Sequence, residues 1–167
     1  FARLMEVDTG FDTAKTITMR VSVPQSRYGQ PAQRVQFYDR LLERVGQLPG
    51  GDASGAISFL PLSGPGAATR YDVVGEPAPP AGQEPVTDVS VIADGYLEAM
   101  RIPLVRGRLF EERQPADAQN RIVVNETLAR RHWPGQDPIG RRLRISWGDN
   151  REDEIIGVVG DVRQTSL

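Results

Sequence analysis

The stretch AQRVQFYDRLLERVGQL, residues 32–48, carries the most regular hydrophobic pattern in the sequence. Its apolar side chains recur at spacings of three and four residues, which is the period of an amphipathic helix. These side chains are Val35, Tyr38, Leu41, Leu42, Val45 and Leu48. Pro31 suits the first helical position, and Pro49-Gly50-Gly51 ends the pattern. The sequence therefore predicts a helix over residues 32–48.

Segments with strand character flank this helix on both sides. Residues 16–23 (TITMRVSV) alternate strictly between apolar and polar side chains, which is the period of a half-buried strand. Residues 56–60 (AISFL) are apolar enough for a second strand. Together they predict a βαβ unit in which the helix packs on a sheet containing both strands, and an α+β fold class.

The chain changes character at residues 61–82, which are rich in Pro, Gly and Ala. This composition predicts a mobile loop at a lobe boundary, interrupted by a short strand at residues 71–74. We therefore divide the chain into residues 1–62 and residues 63–167. The second part is predicted to contain strands at 86–91, 121–124, 142–147 and 155–162, an extended segment at 104–110, and helices at 96–100 and from Asn125 onward. Asp94 and Asn125 are the expected caps of these two helices.

Charge and amino-acid composition argue against several classes of function. The chain has 167 residues, 20 of them basic and 22 acidic, with the two signs interleaved and a net charge of −2. Nucleic-acid binding usually requires a clustered basic excess, so the charge pattern argues against a nucleic-acid partner. The sequence contains no cysteine, which excludes a thiolate nucleophile and a cysteine-based metal site.

Few residues are candidates for chemistry. His132 is the single histidine, and a Ser-His-Asp triad would have to use it. Its place at the end of a short helix beside Trp133 favours a packing or surface role. Zinc would have to rely on carboxylates, which it rarely does. Residues 64–69 (GPGAAT) lack the spacing of a phosphate-binding loop and its lysine.

Two further patterns have structural explanations. The acidic residues Glu111, Glu112, Asp149 and 152–154 do not match a calcium loop, and a solvated turn between two strands is favoured for the last group. Asn125 begins an Asn-x-Thr glycosylation pattern. The predicted role of Asn125 as a helix cap is a sufficient explanation for an asparagine at this position. The sequence therefore predicts a protein that is not an enzyme, with no catalytic residue, no cofactor-binding residue and no metal ligand.

An ordered set of short motifs extends over nearly the whole chain. They are GFDT at 10–13, FY at 37–38, LL at 41–42, LPG at 48–50, LPL at 60–62, GYL at 95–97, IPL at 102–104, RGRLF at 106–110, VVNETLA at 123–129, WPG at 133–135, DPIG at 137–140 and IGVVGDVR at 156–163. In this order they resemble the MacB-type periplasmic core domain of MacB/FtsX-class ABC transporter permeases.

The resemblance implies a role outside the cytoplasmic membrane, between the first two transmembrane helices of a permease. It implies a porter-like lobe built on βαβ units and a small α/β Sabre-like lobe, which transmit motion from the membrane helices to outside partners or substrate during export. The implied partners are a second permease copy, a cytoplasmic ATPase and a periplasmic adaptor protein, with no cofactor.

Two expectations concern the chain ends. Residues 1–7 (FARLMEV) have helical apolar spacing and are expected to be the extracytoplasmic end of a transmembrane helix. Members of the family normally continue past the IGVVGDVR motif with a second porter-like half. We therefore expect a whole Sabre-like lobe at 63–167 and only the first half of the porter-like lobe at 1–62.

Two other functions remain open. One is an extracytoplasmic module that binds a ligand or peptide, with residues 64–82 as its contact surface. A deep pocket lined by aromatic side chains would favour it. The other is a hydrolase, which a cleft joining His132 with a serine and an aspartate would favour.

Overall fold

A mainly antiparallel sheet of six strands dominates the part of the chain that the computed structural model describes, which is residues 9–12, 15–64, 66–80, 82–110, 120–146 and 152–163. The elements, in chain order, are α1 (Pro31–Gly46), β1 (Ala67–Val73), β2 (Val86–Val89), α2 (Tyr96–Ala99), β3 (Leu104–Gly107), β4 (Arg121–Asn125), α3 (Glu126–His132), β5 (Arg142–Ile145) and β6 (Glu152–Val159). The predicted α+β class is confirmed.

Strand β6 is the centre of the sheet. It pairs antiparallel with β5 over its first three residues and with β3 over its last three. Strand β4 runs parallel to β6 from Glu154 to Val159, so β4 occupies one edge of β6 while β5 and β3 share the other. Strand β1 joins β5 to β2. The parallel pair needs a crossover connection, and α3 provides its helical part.

A β-bulge in β6 decides which side chains face each side of the sheet. The β4–β6 register shifts between Ile122 and Val123, because Ile156 is an extra residue in β6. The shift places Ile155 and Val158 in the same apolar cluster despite their odd spacing.

Two apolar clusters cover the two faces of the sheet. The first contains the buried residues Tyr71, Val124, Ala129, Trp133, Leu143, Ile155 and Val158. The second contains Tyr96, Leu97, Met100, Ile102 and Val159, with Phe11, Ile57 and Leu60 packed against them. Neighbouring residues of β4 and of β6 enter opposite clusters, as the two-residue period of a strand requires. Burial on both faces explains the almost continuous apolar run of β6.

The helix predicted at residues 32–48 is confirmed as α1, with Pro31 in its first turn. The predicted βαβ unit around it is wrong in the described residues. Residues 16–23 form no strand, and Ile17 and Met19 are 92% and 71% exposed. In residues 56–60, Ile57 makes an isolated bridge with Ile92. Strict alternation places apolar side chains on one face of a strand. A strand forms only where a neighbouring strand also pairs with its backbone N–H and C=O groups.

Among the described elements, helix α1 has no extensive contact with a strand. None of its residues is fully buried. Tyr38 of its apolar stripe contacts the preceding chain, where its hydroxyl donates to the carbonyl oxygen of Val21 over 3.2 Å.

Other predicted elements need smaller corrections. Residues 152–154 begin β6 rather than forming a solvated turn, and Asp153 is buried. Within the predicted loop at 61–82, β1 spans residues 67–73 and is longer than the strand predicted at residues 71–74. Gly95, with φ of 79°, caps α2 in place of Asp94. Asn125 caps α3 as predicted, since its side chain accepts from the amide of Leu128 over 3.2 Å.

The expectations for residues 1–7, 111–112, 147 and 149 lie outside the described residues. The division of the chain at residue 62 stays a prediction.

We expect Leu41→Asp to lower the free energy of unfolding by only about 1–2 kcal/mol, because Leu41 is half-buried on a helix without a sealed interface. Urea denaturation of this variant beside Gln36→Asp, on the exposed surface of the same helix, separates burial from helix propensity. A decrease in the free energy of unfolding of about 4 kcal/mol or more would show that the apolar face of α1 is buried against a sheet in solution.

Candidate functional site

His132 lies against the first apolar cluster. Its Nε2 atom shares a hydrogen bond of 2.8 Å with the hydroxyl of Tyr71, and the two rings meet edge to face at 5.5 Å. Burial lowers the pKa of the His132 imidazole, and burial raises the pKa of the Tyr71 hydroxyl. The imidazole is therefore neutral near pH 7 and holds a buried tyrosine, which matches the packing role predicted for it.

The lowered pKa of His132 has a consequence for acid stability. An unfolded chain binds a proton at this imidazole near pH 6.5, whereas the folded chain binds it at lower pH. The unfolded state thus binds more protons in this window, and stability should fall as the pH drops from 7.5 to 5.5. We expect His132→Gln to flatten this slope in urea titrations at the two pH values. An unchanged slope would mean that other groups cause the pH dependence.

A polar cluster forms where two motifs of the sequence meet. The carboxylate of Asp161, just after β6, accepts hydrogen bonds from Asn125 Nδ2 over 2.7 Å and from the Thr127 amide over 2.9 Å. It also accepts from Thr127 Oγ1 over 2.7 Å and from Arg130 Nη2 over 2.8 Å. Arg130 donates in addition to Glu126, four residues earlier in α3. We call Asp161, Asn125, Thr127 and Arg130 the Asp161 clasp.

The chemistry of the Asp161 clasp is that of a fixed anion. Burial raises the pKa of Asp161, but the hydrogen bonds from Thr127 and Arg130, together with the arginine charge, outweigh burial and leave the pKa lowered. The carboxylate is therefore ionised at neutral pH and accepts hydrogen bonds from Asn125 and from α3. This arrangement ties the end of β6 to the first turn of α3.

Sequence patterns predict only part of this cluster. Asn125 is predicted as a helix cap, and Asp161 belongs to the IGVVGDVR motif. Their contact does not follow from local sequence, because the two residues are 36 positions apart. The available signal was an aspartate placed directly after a buried apolar run.

A cavity of about 1030 Å³ opens beside the second apolar cluster. Its walls include residues 87–94 and strand β4, with aliphatic side chains, the aromatic rings of Tyr96 and Phe110, and the charged side chains of Asp39, Arg121 and Asp153. Described residues of the predicted contact surface at 64–82 do not line it. The lining is not dominated by aromatic side chains, whereas the interpretation of the chain as a binding module predicts an aromatic lining.

Other stretches considered for chemistry also have a place in the fold. Residues 67–69 of the phosphate-loop-like stretch begin β1. Among the residues that the structure describes, no three histidine or acidic side chains are grouped as potential metal ligands. No helix in the described ranges combines the length and apolar character that crossing a bilayer requires.

Solved structures of three permease or transporter domains resemble this chain. A domain assigned to a permease of Porphyromonas gingivalis is 20% identical with a TM-score of 0.46, over 71% of this chain and 43% of its own. The periplasmic region of MacB from Actinobacillus actinomycetemcomitans is 14% identical with a TM-score of 0.48, over 74% and 50%. The extracellular domain of the noncanonical ABC-type transporter YknZ from Gram-positive bacteria is 13% identical with a TM-score of 0.49, over 74% and 57%.

The chain spans about half the length of these structures. Comparison with curated proteins gives no match. The family described as MacB-like periplasmic core domain matches residues 6–167, which is nearly the entire sequence. The chain therefore belongs to the family of MacB-like periplasmic core domains.

Proposed function

We propose that this chain is the extracytoplasmic domain of an ABC-type permease, and that it transmits motion from the membrane helices to outside partners or substrate during export. Family membership supports the coarser part, a periplasmic domain of a MacB-like permease. The partners in this proposal are a second permease copy, a cytoplasmic ATPase and an adaptor protein. The domain itself acts without catalysis and without a cofactor.

One observation carries the mechanical part of the proposal. Between the two predicted lobes, residues 1–62 and 63–167, strand pairing in the described part of the chain is limited to the isolated bridge between Ile57 and Ile92. Around it, Ile57 and Leu60 pack against the second apolar cluster without being fully buried. Packed units that are not joined by a continuous strand ladder can slide or pivot against each other in a shear or hinge motion.

Spin labels on the two lobes test the motion directly. We propose labels at Glu43→Cys in α1 and Gln136→Cys after α3, both at exposed positions, in an otherwise cysteine-free full-length permease with its ATPase. The distance distribution should change between the nucleotide-free and ATP-trapped states. A control pair within the second lobe, Asp88→Cys with Gln136→Cys, should stay constant. Equal distributions in both states for both pairs would contradict the proposal.

The cavity favours a second candidate, a module that binds an apolar ligand. It borders Val123 and Leu97, which a ligand would contact. Saturable binding of an apolar fluorescent dye that is lost in Val123→Trp would favour this function. Dye fluorescence that stays at the level of free dye would reject it.

A further inference from the structure

The Asp161 clasp lies at a junction of three segments that are distant in the sequence. Its donors belong to the end of β4 and to α3, and its carboxylate belongs to the segment that leaves β6. The third segment is residues 9–12. Gly10 adopts φ of 79° and lies so close to Asp161 that a Cβ atom there would overlap the Asp161 carbonyl oxygen. The amide of Arg163 donates to the carbonyl oxygen of Thr9 over 3.1 Å.

Residues 9–12 are attached on their other side to the end of α2. The amide of Asp12 donates to the carbonyl oxygen of Met100 over 3.2 Å, and the Arg101 guanidinium contacts the Asp12 carboxylate at 2.7 Å. Phe11 packs against the second apolar cluster. A displacement of residues 9–12 therefore acts on α2 directly and on α3 through Asp161.

Solvent exposure marks the clasp as weaker than the sheet that it adjoins. The side chains of Arg130 and Asp161 are 61% and 39% exposed, whereas Ile155 in β6 is fully buried. Hydrogen bonds that water can reach contribute little net stability, and such regions open with less free energy than a buried sheet.

We propose that the Asp161 clasp is a conformational joint. When Asp161 leaves the first turn of α3, residues 160–163 and residues 9–12 detach together, while β6 stays paired. In the closed state the ionised carboxylate fixes these segments to α3. In the open state Asn125, Thr127 and Arg130 donate to water. The use of this joint during export rests on the proposed function, but the joint itself is a property of the domain.

Native-state hydrogen exchange on the 167-residue chain tests the joint. In Asp161→Asn the amides of Thr127, Arg163 and Asp12 should exchange together and at least about tenfold faster than in the parent, which corresponds to about 1.4 kcal/mol. The amide of Ile155, bonded to the carbonyl oxygen of Arg141, should keep its rate. Thr127→Val, which removes one donor and keeps the charge, should give a smaller change in the same three amides.

Glu152→Gln is the matched control. Glu152 is a half-exposed carboxylate at the other end of β6 and pairs with Arg142 at 3.3 Å and Arg144 at 3.1 Å. This variant should leave the amides of Thr127, Arg163 and Asp12 unchanged. Acceleration of Thr127 alone in Asp161→Asn, or equal acceleration of Ile155, would overturn the joint, since the segments would then open separately or with the sheet.

The full-length permease with its ATPase separates the joint from the proposed function. If the joint transmits motion, Asp161→Asn should lower the amount exported per ATP hydrolysed, and Glu152→Gln should not. Cooperative exchange combined with unchanged export would retain the joint and reject the motion-transmitting function.

Discussion

Oxidation of an Ile57→Cys/Ile92→Cys pair should abolish export by the full-length permease, and a reductant should restore it. Ile57 lies in the predicted first lobe and Ile92 in the second, and they face each other in an isolated antiparallel bridge. If the lobes must move relative to each other, a covalent bond at this contact stops the cycle. Export is measured in proteoliposomes before and after oxidation of the same sample.

The backbone geometry at this bridge suits a disulfide. The amide of Ser58 donates to Val91 over 2.9 Å, and the amide of Ala93 donates to Ala56 over 2.8 Å. These bonds lie on either side of the bridge, so the bridged residues form a non-hydrogen-bonded pair with Cα atoms expected about 4.5 Å apart. Disulfides need Cα separations of roughly 4.4–6.8 Å. The chain contains no natural cysteine that could form a disulfide with either introduced residue.

A cross-link within one lobe provides the control. Ala68 and Asp88 are partners in the β1–β2 ladder and also form a non-hydrogen-bonded pair, because Tyr71 bonds to Pro85 three positions along. An oxidised Ala68→Cys/Asp88→Cys pair should leave export intact. If the oxidised Ile57→Cys/Ile92→Cys permease exports as well as its reduced form, the domain is a static docking platform.

Gly55→Ala should lower the free energy of unfolding by about 3 kcal/mol, at the upper end of the cost of overpacking. A Cβ atom at residue 55 would overlap the backbone nitrogen and Cα atom of Tyr96, which is buried at the start of α2. Backbone atoms cannot turn aside as a side chain can, so α2 would have to shift within the second apolar cluster. For a domain of this size the melting temperature should fall by about 6–12 °C.

Gly51→Ala is the matched control for this substitution. A Cβ atom there would lie 3.8 Å from the carbonyl oxygen of Leu48, which is an ordinary contact. Neither glycine has a left-handed backbone, so alanine adds no conformational strain at either position. If both variants melt at the parent temperature, the close approach of residue 55 to α2 does not exist in solution.

Local pattern predicted most of the elements after residue 85. Alternation or apolar runs identified β2, β4, β5 and β6, and in each case another strand is present to pair with it. Residues 16–23 have an equally clear pattern and remain unpaired in the described structure. A side-chain pattern specifies the face that a strand buries, whereas the partner depends on residues elsewhere in the chain.

Long-range polar contacts explain the other differences between the structure and the sequence-based predictions. The acidic start of β6 resembles a turn in sequence, but Glu152 lies across from the arginines of β5 and forms ion pairs with them. The packing role of His132 could be inferred from its position in α3. The Asp161 clasp could not be inferred, because no local rule connects Asp161 with Thr127, 34 residues earlier.

The central position of β6 also affects biosynthesis. Strands β3, β4 and β5 all hydrogen-bond to β6, which is the last strand of the described chain. These ladders cannot form until residue 159 has been synthesised, and until then the three strands expose backbone donors and acceptors that other chains can pair with. A nascent domain of this kind depends on rapid completion or on a chaperone, and a chain interrupted before Glu152 would be prone to aggregate.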